Sequence, residues 1–356
     1  MKYNKKILIC SLFIIISITI LIVISRNSTK TFKYKGSTIA LTVDGNSATS
    51  FPTSGKYNVT VNCNNAKGRW NPKTWKLEIT KITGTVTCDV SFNSSVTNLT
   101  TQVNNKATRN ENGKRYQGKN PDNYVWFNDE LWRIIGNIPV CLTSGCSTTE
   151  NRVKIIRNDS IGAITYGSNS TWMGSNIQKL LNTCYLGKES SCDSYCYSYY
   201  AKGTCDYSAD GIVVTDYYGK MVEDVYFNVG AGDSTYKTAA NYYTQEIATH
   251  ATSTSKIGLM YASDWGYAIE GFTKVLGSSG NPPSDKNWLF SNGYEWTMSA
   301  YSSSLPLIVH DFGHIGSLYR YSASNGYAAR PVLYLKSNVY VVSGTGTKVD
   351  PYRIGM

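Results

Sequence analysis

The chain has 356 residues and a formal net charge of +11, but only 17% of its residues are charged, whereas tyrosine alone occurs 28 times. This length allows a membrane segment, a small domain and one large domain. Low charge with many phenols is typical of an extracellular β-rich protein and argues against a cytosolic helical enzyme. The basic balance attracts polyanions such as wall polymers or acidic glycans, and the absence of any run rich in lysine and arginine argues against nucleic acid as a partner.

The N-terminal segment has the pattern of a membrane anchor. Residues 1–6 are short and basic, and residues 7–25 are uncharged and almost wholly apolar. A helix of that length rises about 28 Å, enough for a bilayer core. Its exit, IVISR at residues 22–26, lacks the small residues of a cleavage site. We expect a cytoplasmic start at 1–6 and an uncleaved single-pass transmembrane signal-anchor at 7–25 in the cell membrane, with the C-terminal bulk extracellular; a cleaved signal peptide is the alternative.

A small β module follows a short linker at residues 26–35. Within residues 36–95, short runs of alternating apolar and β-branched residues are separated by clusters of Gly, Asn and Pro, which is the pattern of a half-buried sheet. Cys63 and Cys88 lie near two of these strands and are predicted to form a disulfide. Residues 96–122 are rich in Asn, Thr, Ser and Lys, and this composition predicts a linker.

The large domain, residues 123–356, begins with two predicted strands. YVWF at 124–127 and LWRII at 131–135 flank Asn128 and Asp129, which tolerate the positive φ of a tight turn. Apolar residues at helical spacing between Trp172 and Tyr185 predict an amphipathic helix. A second helix is expected at residues 236–249 and a buried strand at 256–261, and Ser263 or Asp264 is expected to cap a helical turn after it.

This domain contains several cysteines, and four of them lie in an insertion at residues 184–218 that is rich in tyrosine. Four thiols can ligate zinc, but the spacing lacks paired C-x-x-C knuckles and the expected compartment is oxidising, so disulfides are favoured. The four cysteines of the insertion allow three connectivities, which remain open. Cys141 and Cys146 are predicted to close a separate small loop. The candidates for disulfide bonding along the whole chain are Cys63, Cys88, Cys141, Cys146, Cys184, Cys192, Cys196 and Cys205.

The C-terminal part of the domain contains the stretch with the most functional interest. WTMS at residues 296–299 and RPVLYL at 330–335 are predicted to be paired core strands. Residues 300–325, which lie between them, are polar and aromatic. The two strands are predicted to lie in the core, and residues 300–325 between them are predicted to form an exposed surface.

Several of these runs resemble known families. WTMS and the later RPV resemble the C-type-lectin-like fold in its formylglycine-generating-enzyme-like branch. The domain also resembles an uncharacterised family of surface proteins from Gram-positive gut bacteria, and residues 36–95 resemble the immunoglobulin-like repeats of such proteins. The runs that carry the second resemblance lie at residues 123–128, 130–136, 256–261, 263–264, 266–268 and 330–339.

The resemblance implies an α+β fold class: a transmembrane helix, a small all-β immunoglobulin-like module and a C-type-lectin-like α+β domain. In that branch the loop before the RPV strand carries ligand recognition, so residues 300–325 are the expected binding surface. Val309, Phe312 and Leu318 are expected to point inward. The residues expected to contact a ligand are Tyr301, His310, Asp311, His314, Tyr319, Arg320, Tyr321 and Asn325.

Catalysis is not indicated. No cysteine follows Cys205, so the copper chemistry of the oxidase branch is not implied, and no calcium tripeptide or hydrolase motif is found. His310 and His314 suit a metal only on a helix face, whereas their Gly-rich setting indicates a hairpin. We therefore expect no catalytic residues, no metal and no cofactor.

The expected function is that of a membrane-anchored bacterial cell-surface protein, a non-catalytic adhesion module that recognises a glycan or an extracellular protein. The membrane is the other expected partner, through residues 7–25. Two alternatives stay open: a structural cell-envelope protein without a specific ligand, and a hydrolase. The oligomeric state is not indicated by the sequence.

Overall fold

The computed structural model describes residues 32–34, 37–53, 57–72, 74–167, 172–187, 195, 211–212, 216–229, 232–248, 254–302, 305–316 and 326–356. The chain divides into two compact units, with the boundary after Val96. The predicted membrane helix at residues 7–25 lies outside the described residues, as does most of the cysteine-rich insertion.

The described residues of the first unit form seven strands: β1 (Phe32–Tyr34), β2 (Ser37–Val43), β3 (Asn46–Ser47), β4 (Tyr57–Cys63), β5 (Lys67–Asn71), β6 (Lys76–Thr80) and β7 (Thr87–Ser94). One sheet has the order β1-β2-β7-β4, with β3 paired to β2, and β5 and β6 form a separate hairpin. The β2–β7 pair is parallel, whereas β4 runs antiparallel to β7.

Alternation along β7 produces the small core of this unit. Cys88, Val90 and Phe92 are buried, while the residues between them face outward or lie near the surface. The Trp70 ring, on β5, packs edge-on against Phe92 with centroids 4.7 Å apart, so the hairpin covers this face of the sheet. Cys63 lies directly opposite Cys88 in the β4–β7 register, and the predicted disulfide between them is confirmed.

The second unit contains the remaining elements. Its strands are β8 (Thr97–Asn98), β9 (Arg109–Asn110), β10 (Lys114–Arg115), β11 (Tyr124–Phe127), β12 (Glu130–Cys141), β13 (Thr149–Arg157), β14 (Ala163–Thr165), β15 (Ile257–Gly258), β16 (Glu295–Ser302), β17 (Leu305–Val309), β18 (Ile315–Gly316), β19 (Gly326–Ala328), β20 (Val332–Tyr334), β21 (Tyr340–Ser343) and β22 (Tyr352–Gly355). Its helices are α1 (Leu99–Lys106), α2 (Asn176–Asn182), α3 (Ala239–Ala248) and α4 (Ala262–Tyr267), with short 3-10 turns at Ser144–Cys146, Gly219–Met221, Ser278–Gly280 and Ser284–Lys286.

Two sheets organise these elements. The larger has the order β15-β20-β13-β12-β11-β22-β21-β8, and β10 and β9 extend it from β12. The smaller has the order β14-β19-β16-β17-β18. One continuous apolar core fills the unit and includes the fully buried rings of Trp132, Trp265 and Trp296. The long strands β12 and β13 lie in the interior of the larger sheet, because each of them pairs with a neighbouring strand on both of its edges.

Several local predictions are confirmed. Asn128 and Asp129 adopt φ of 54° and 57° in the turn between β11 and β12, as a tight hairpin requires. Both predicted helices exist as α2 and α3, although each is shorter than its apolar pattern. The N-cap of α2 is Ser175, whose side chain accepts a hydrogen bond from the Gln178 N–H. The predicted disulfide between Cys141 and Cys146 is also present.

The predicted fold, an α+β chain that begins with a transmembrane helix, needs correction, although the α+β class itself is loosely compatible with the described part of the chain. That part is mostly β, with 40% strand, 16% helix and four α-helices. None of these helices is long and apolar enough to cross a bilayer. The predicted helix content is too high because the amphipathic runs of the sequence extend beyond the hydrogen-bonded helices. The predicted strand content is too low because β12 and β13 extend well beyond the apolar runs within them.

Residues 97–115 differ from the predicted linker. They form β8, α1, β9 and β10 within the second unit. Leu99, Val103 and Ala107 recur every four residues and are buried, so they fix one face of α1 to the core. The Asn98 side chain caps this helix by accepting from the Thr100 N–H at 2.8 Å. Composition alone concealed this segment because its polar residues occupy the outer face.

The two ends of the C-terminal stretch are not paired with each other, contrary to the prediction. β16 pairs with β17 and β19, whereas β20 pairs with β13 and β15 in the other sheet. A buried bidentate ion pair connects them instead. Arg330 Nε and Nη2 donate to Glu295, at the start of β16, over 2.6 and 2.9 Å.

Candidate functional site

A tight hairpin at the edge of the smaller sheet presents the first candidate site. β17 and β18 are joined by the turn at residues 310–314, in which the Gly313 N–H donates to the His310 carbonyl over 2.8 Å. The His310 N–H donates to the His314 carbonyl, also over 2.8 Å, and closes the turn. Gly313 adopts a φ of 75°, a conformation that glycine reaches without strain. The turn therefore has one fixed shape and holds Asp311 and Phe312 at its tip.

Five rings meet at this turn, and we call them the hairpin patch: Tyr294, His310, Phe312, His314 and Tyr327. The His310 ring lies 4.7 Å from Tyr294, 5.2 Å from Phe312 and 4.6 Å from His314. Tyr294 and Tyr327 stack at 5.2 Å. Phe312 is 78% exposed, and the other four are half-buried. These rings form a contiguous aromatic surface that water reaches.

The patch rests on buried aromatic residues. Trp296 lies beneath it, with its ring centroid 4.7 Å from Tyr327 and 5.1 Å from Tyr166. The Trp296 indole Nε1 donates to the Ile164 carbonyl over 2.6 Å. This contact ties β16 to β14, so the platform under the patch is held by the core and not by the loop itself.

Charge is distributed unevenly over the patch. His310 Nδ1 lies 2.5 Å from a carboxylate oxygen of Asp311, and its Nε2 lies 3.3 Å from the Tyr294 hydroxyl. Partial burial, together with the neighbouring His310, lowers the pKa of His314 below its ordinary value. This lowered pKa favours the neutral imidazole of His314 at neutral pH.

The predicted contact residues fall into three groups. His310, Asp311 and His314 lie together in the turn. Tyr301 lies at the opposite end of β16 from Tyr294, where its ring packs at 5.4 Å against Tyr236, so it is not part of the patch. The other four predicted residues lie outside the described residues: Tyr319, Arg320, Tyr321 and Asn325.

Phe312 was expected to point inward and is instead largely exposed, whereas Val309 is fully buried as expected. Strand alternation does not apply to Phe312 because it lies in the turn and not in β17. Tyr294 and Tyr327 were missed, although each lies within two residues of a strand end. Leu318, the third residue expected inward, lies outside the described residues.

A second candidate, the buried cluster, lies between β13, α3 and α4. It consists of Arg115, Lys154, Glu246 and Asp264, with hydroxyl groups around them. Asp264 accepts from Arg115 Nη1 over 2.7 Å and from Lys154 Nζ over 2.5 Å. The Tyr261 N–H donates to the same carboxylate over 3.0 Å. Asp264 thus has two cations and a backbone donor in a site without solvent.

Glu246 completes the buried cluster from α3. Its carboxyl group accepts from the Ser299 hydroxyl over 2.5 Å and from the hydroxyl and N–H of Ser263. Burial raises the pKa of Glu246 to about 7, because hydroxyl donors compensate the charge only in part. Burial is also the main cause that lowers the pKa of Lys154. A cavity of about 20 Å³, lined by Lys154, Glu246 and Asp264, adjoins these groups and has room for about one water.

Several other carboxylates of this unit are held in ion pairs. Glu223 pairs with Arg152, which also pairs with Glu150, while Asp224 pairs with Lys256 and Glu130 pairs with Arg157. Among the residues that the structure describes, no group of three or more His, Cys, Asp or Glu side chains is arranged to hold a metal ion.

The chain was compared with protein-family models, with curated proteins and with solved structures, and none of them matches.

Proposed function

We propose that the chain is an extracellular binding protein that recognises a glycan through the hairpin patch and catalyses no reaction. The observation that carries this proposal is the contiguous aromatic surface around Phe312. Aromatic side chains provide a large contact area at low entropic cost, and contiguous exposed apolar surface is a common mark of a binding site.

A glycan suits the chemistry of the patch. Sugar rings combine apolar C–H faces with hydroxyl edges. The patch likewise combines ring faces with polar tips, since Tyr294 and Tyr327 carry hydroxyls and the two histidines carry ring nitrogens. The Asp311 carboxylate adds an acceptor for sugar hydroxyls. The net charge of +11 attracts acidic glycans over a longer range.

The disulfides support a location outside the cytoplasm. Cys63–Cys88 and Cys141–Cys146 are bonded, and Cys184 is disulfide-bonded as well. The remaining candidates, Cys192, Cys196 and Cys205, lie outside the described residues. Disulfides persist in oxidising compartments and are rare in the cytosol. We therefore place the binding surface at the outside of the cell.

The experiment that tests this function is glycan-array binding by the full chain, repeated with Phe312→Ala and Tyr327→Ala. Both variants are expected to bind at least about tenfold more weakly, because truncation of an aromatic hot spot costs about 2 kcal/mol or more and a tenfold loss corresponds to about 1.4 kcal/mol. Val349→Ala is the matched control, since Val349 is 94% exposed in the turn between β21 and β22 and belongs to no ring cluster. Absence of glycan binding by the unaltered chain would favour a structural envelope protein, and cleavage of a bound glycan would favour a hydrolase.

A further inference from the structure

We propose that Lys154 and Asp264 become joined by an intramolecular amide bond between Nζ and Cγ, which the protein forms in its own core. This inference is independent of glycan recognition, because it concerns the buried cluster and not the hairpin patch.

The two side chains are held in contact by elements that are distant in sequence. Lys154 lies on β13 and Asp264 on α4, 110 positions later, and Nζ lies 2.5 Å from Oδ2. Lys154 is fully buried and Asp264 is 2% exposed. A condensation that releases water is favoured where bulk water is excluded, so the same two groups behave differently here than at a surface.

The chain contains a matched pair at its surface. Lys256 Nζ lies 2.8 Å from Asp224 Oδ2, and the Asp224 side chain is 55% exposed. Water solvates both ions of that pair. Proximity is therefore shared by the two pairs, whereas burial and polarisation are found only at Lys154 and Asp264.

Arg115 is positioned to polarise the Asp264 carboxyl group. Its Nη1 donates to Oδ1, whereas Lys154 and the Tyr261 N–H both contact Oδ2. Attack of the amine on Cγ moves negative charge onto Oδ1, and the guanidinium beside it stabilises that charge. The Tyr261 and Tyr334 rings lie 4.2 Å and 5.4 Å from Nζ and close the site to solvent.

Glu246 is placed to transfer the protons between the amine and the leaving oxygen. It is buried, contacts Ser263 and Ser299, and lines the same small cavity as Lys154 and Asp264. That cavity has room for about one water, which would connect the three groups. A carboxyl group that is neither firmly ionised nor firmly protonated near neutral pH can accept a proton from the amine and return it to the leaving oxygen.

The step balances without any other reagent. Nζ loses two protons and forms a bond to Cγ, while the bond between Cγ and Oδ2 breaks. The two protons leave with Oδ2 as one water molecule, and Oδ1 remains as the amide oxygen, still accepting from Arg115. An ammonium and a carboxylate become a neutral amide, so the buried site no longer contains that pair of charges.

Intact-mass measurement of the reduced full chain tests the proposal. The expected mass is that of the sequence minus one water, and a peptide digest is expected to yield one branched peptide that contains both Lys154 and Asp264. A mass equal to that of the sequence, with both residues recovered in separate linear peptides, would overturn the proposal and leave an ion pair only.

Variants locate the bond and separate chemistry from folding. Lys154→Arg keeps a cation beside Asp264 and is expected to show the full sequence mass. Asp264→Asn is expected to lose ammonia in place of water. Lys256→Arg, at the exposed pair, is the control and is expected still to lack one water. Persistence of the water loss in Lys154→Arg would contradict the assignment.

Glu246 needs a readout that a structural role does not change. Glu246→Gln keeps the shape and the hydroxyl contacts, and is expected to slow the loss of water by about 10²-fold. Glu246→Asp is expected to restore part of the rate. The time course of the mass change after refolding at several pH values measures this, and an unchanged rate in Glu246→Gln would remove Glu246 from the proposal.

Discussion

The buried cluster and the hairpin patch lie in the same unit, and each has an aspartate beside a basic side chain, but they differ in their access to water. In the cluster, Asp264 is held by Arg115 and Lys154 without solvent. In the patch, Asp311 contacts His310 with about a third of its side chain exposed. Removal of one partner from a buried pair leaves an uncompensated charge, whereas exposed pairs contribute little. Buried polar groups therefore hold the fold here, while exposed ones remain available for a ligand.

The largest expected effect is that of Asp264→Ala. It leaves Arg115 and Lys154 buried without a counter-charge and also removes the proposed cross-link, so we expect the free energy of unfolding to fall by at least about 3 kcal/mol. Denaturant unfolding of the full chain measures it, with Asp224→Ala as the control at an exposed pair. The control is expected to change stability by less than about 1 kcal/mol. Equal losses of stability in the two variants would show that burial does not decide how much these ion pairs contribute.

The raised pKa of Glu246 predicts how the free energy of unfolding depends on pH. Its pKa is about 7 in the folded protein and 4.5 ordinarily, so the folded state binds the proton more tightly. The resulting stabilisation is complete below pH 4.5 and is lost as the pH rises through 7, a difference of about 3 kcal/mol. Unfolding at a series of pH values measures this. Glu246→Gln is expected to lack this component, and an identical pH dependence in that variant would refute the assignment.

Gly313→Ala tests the fixed shape of the hairpin. Alanine is strained at a φ of 75°, and its Cβ would lie 2.2 Å from the Ser284 Cβ. We expect a loss of stability of about 1–3 kcal/mol together with weaker ligand binding. Gly293→Ala is the control, because a Cβ there meets no atom within 4 Å. Similar effects of the two substitutions would show that the turn is not constrained.

His310→Ala is expected to have the smallest effect. Removal of this ring increases the exposure of His314 and eliminates a neighbouring positive charge, so the pKa of His314 should rise toward its ordinary value. Titration of the imidazole resonances by NMR measures the change. Phe312→Ala keeps His310 and is expected to leave the pKa of His314 nearly unchanged. A pKa of His314 that falls in His310→Ala would contradict the coupling of the two rings.

Local structure could be predicted from the sequence where neighbouring residues decide it. Asn128 and Asp129 indicated their turn because few other residues tolerate positive φ. The apolar spacing before Tyr185 indicated α2. The four-residue spacing of Leu99 and Val103 likewise fits α1, although the polar composition around them is that of a linker. These signals lie within one or two turns of chain.

The buried cluster could not be predicted in this way. Lys154, Glu246 and Asp264 come from three separate elements, and of the three only Asp264 attracted notice in the sequence, as a possible helix cap. In the sequence, Lys154 interrupts an apolar strand and resembles an exposed residue, whereas in the structure it is fully buried. The hairpin patch was found only in part, since Tyr294 and Tyr327 join it through strand pairing across the smaller sheet.

The affinity of the full chain for the glycan that it selects on an array, compared between Phe312→Ala and Val349→Ala, tests the central claim most directly. Both substitutions remove an exposed apolar side chain, but only Phe312 belongs to the hairpin patch. We predict at least about a tenfold loss for Phe312→Ala and no measurable change for Val349→Ala. Equal affinities, or no selected glycan at all, would contradict recognition through the patch.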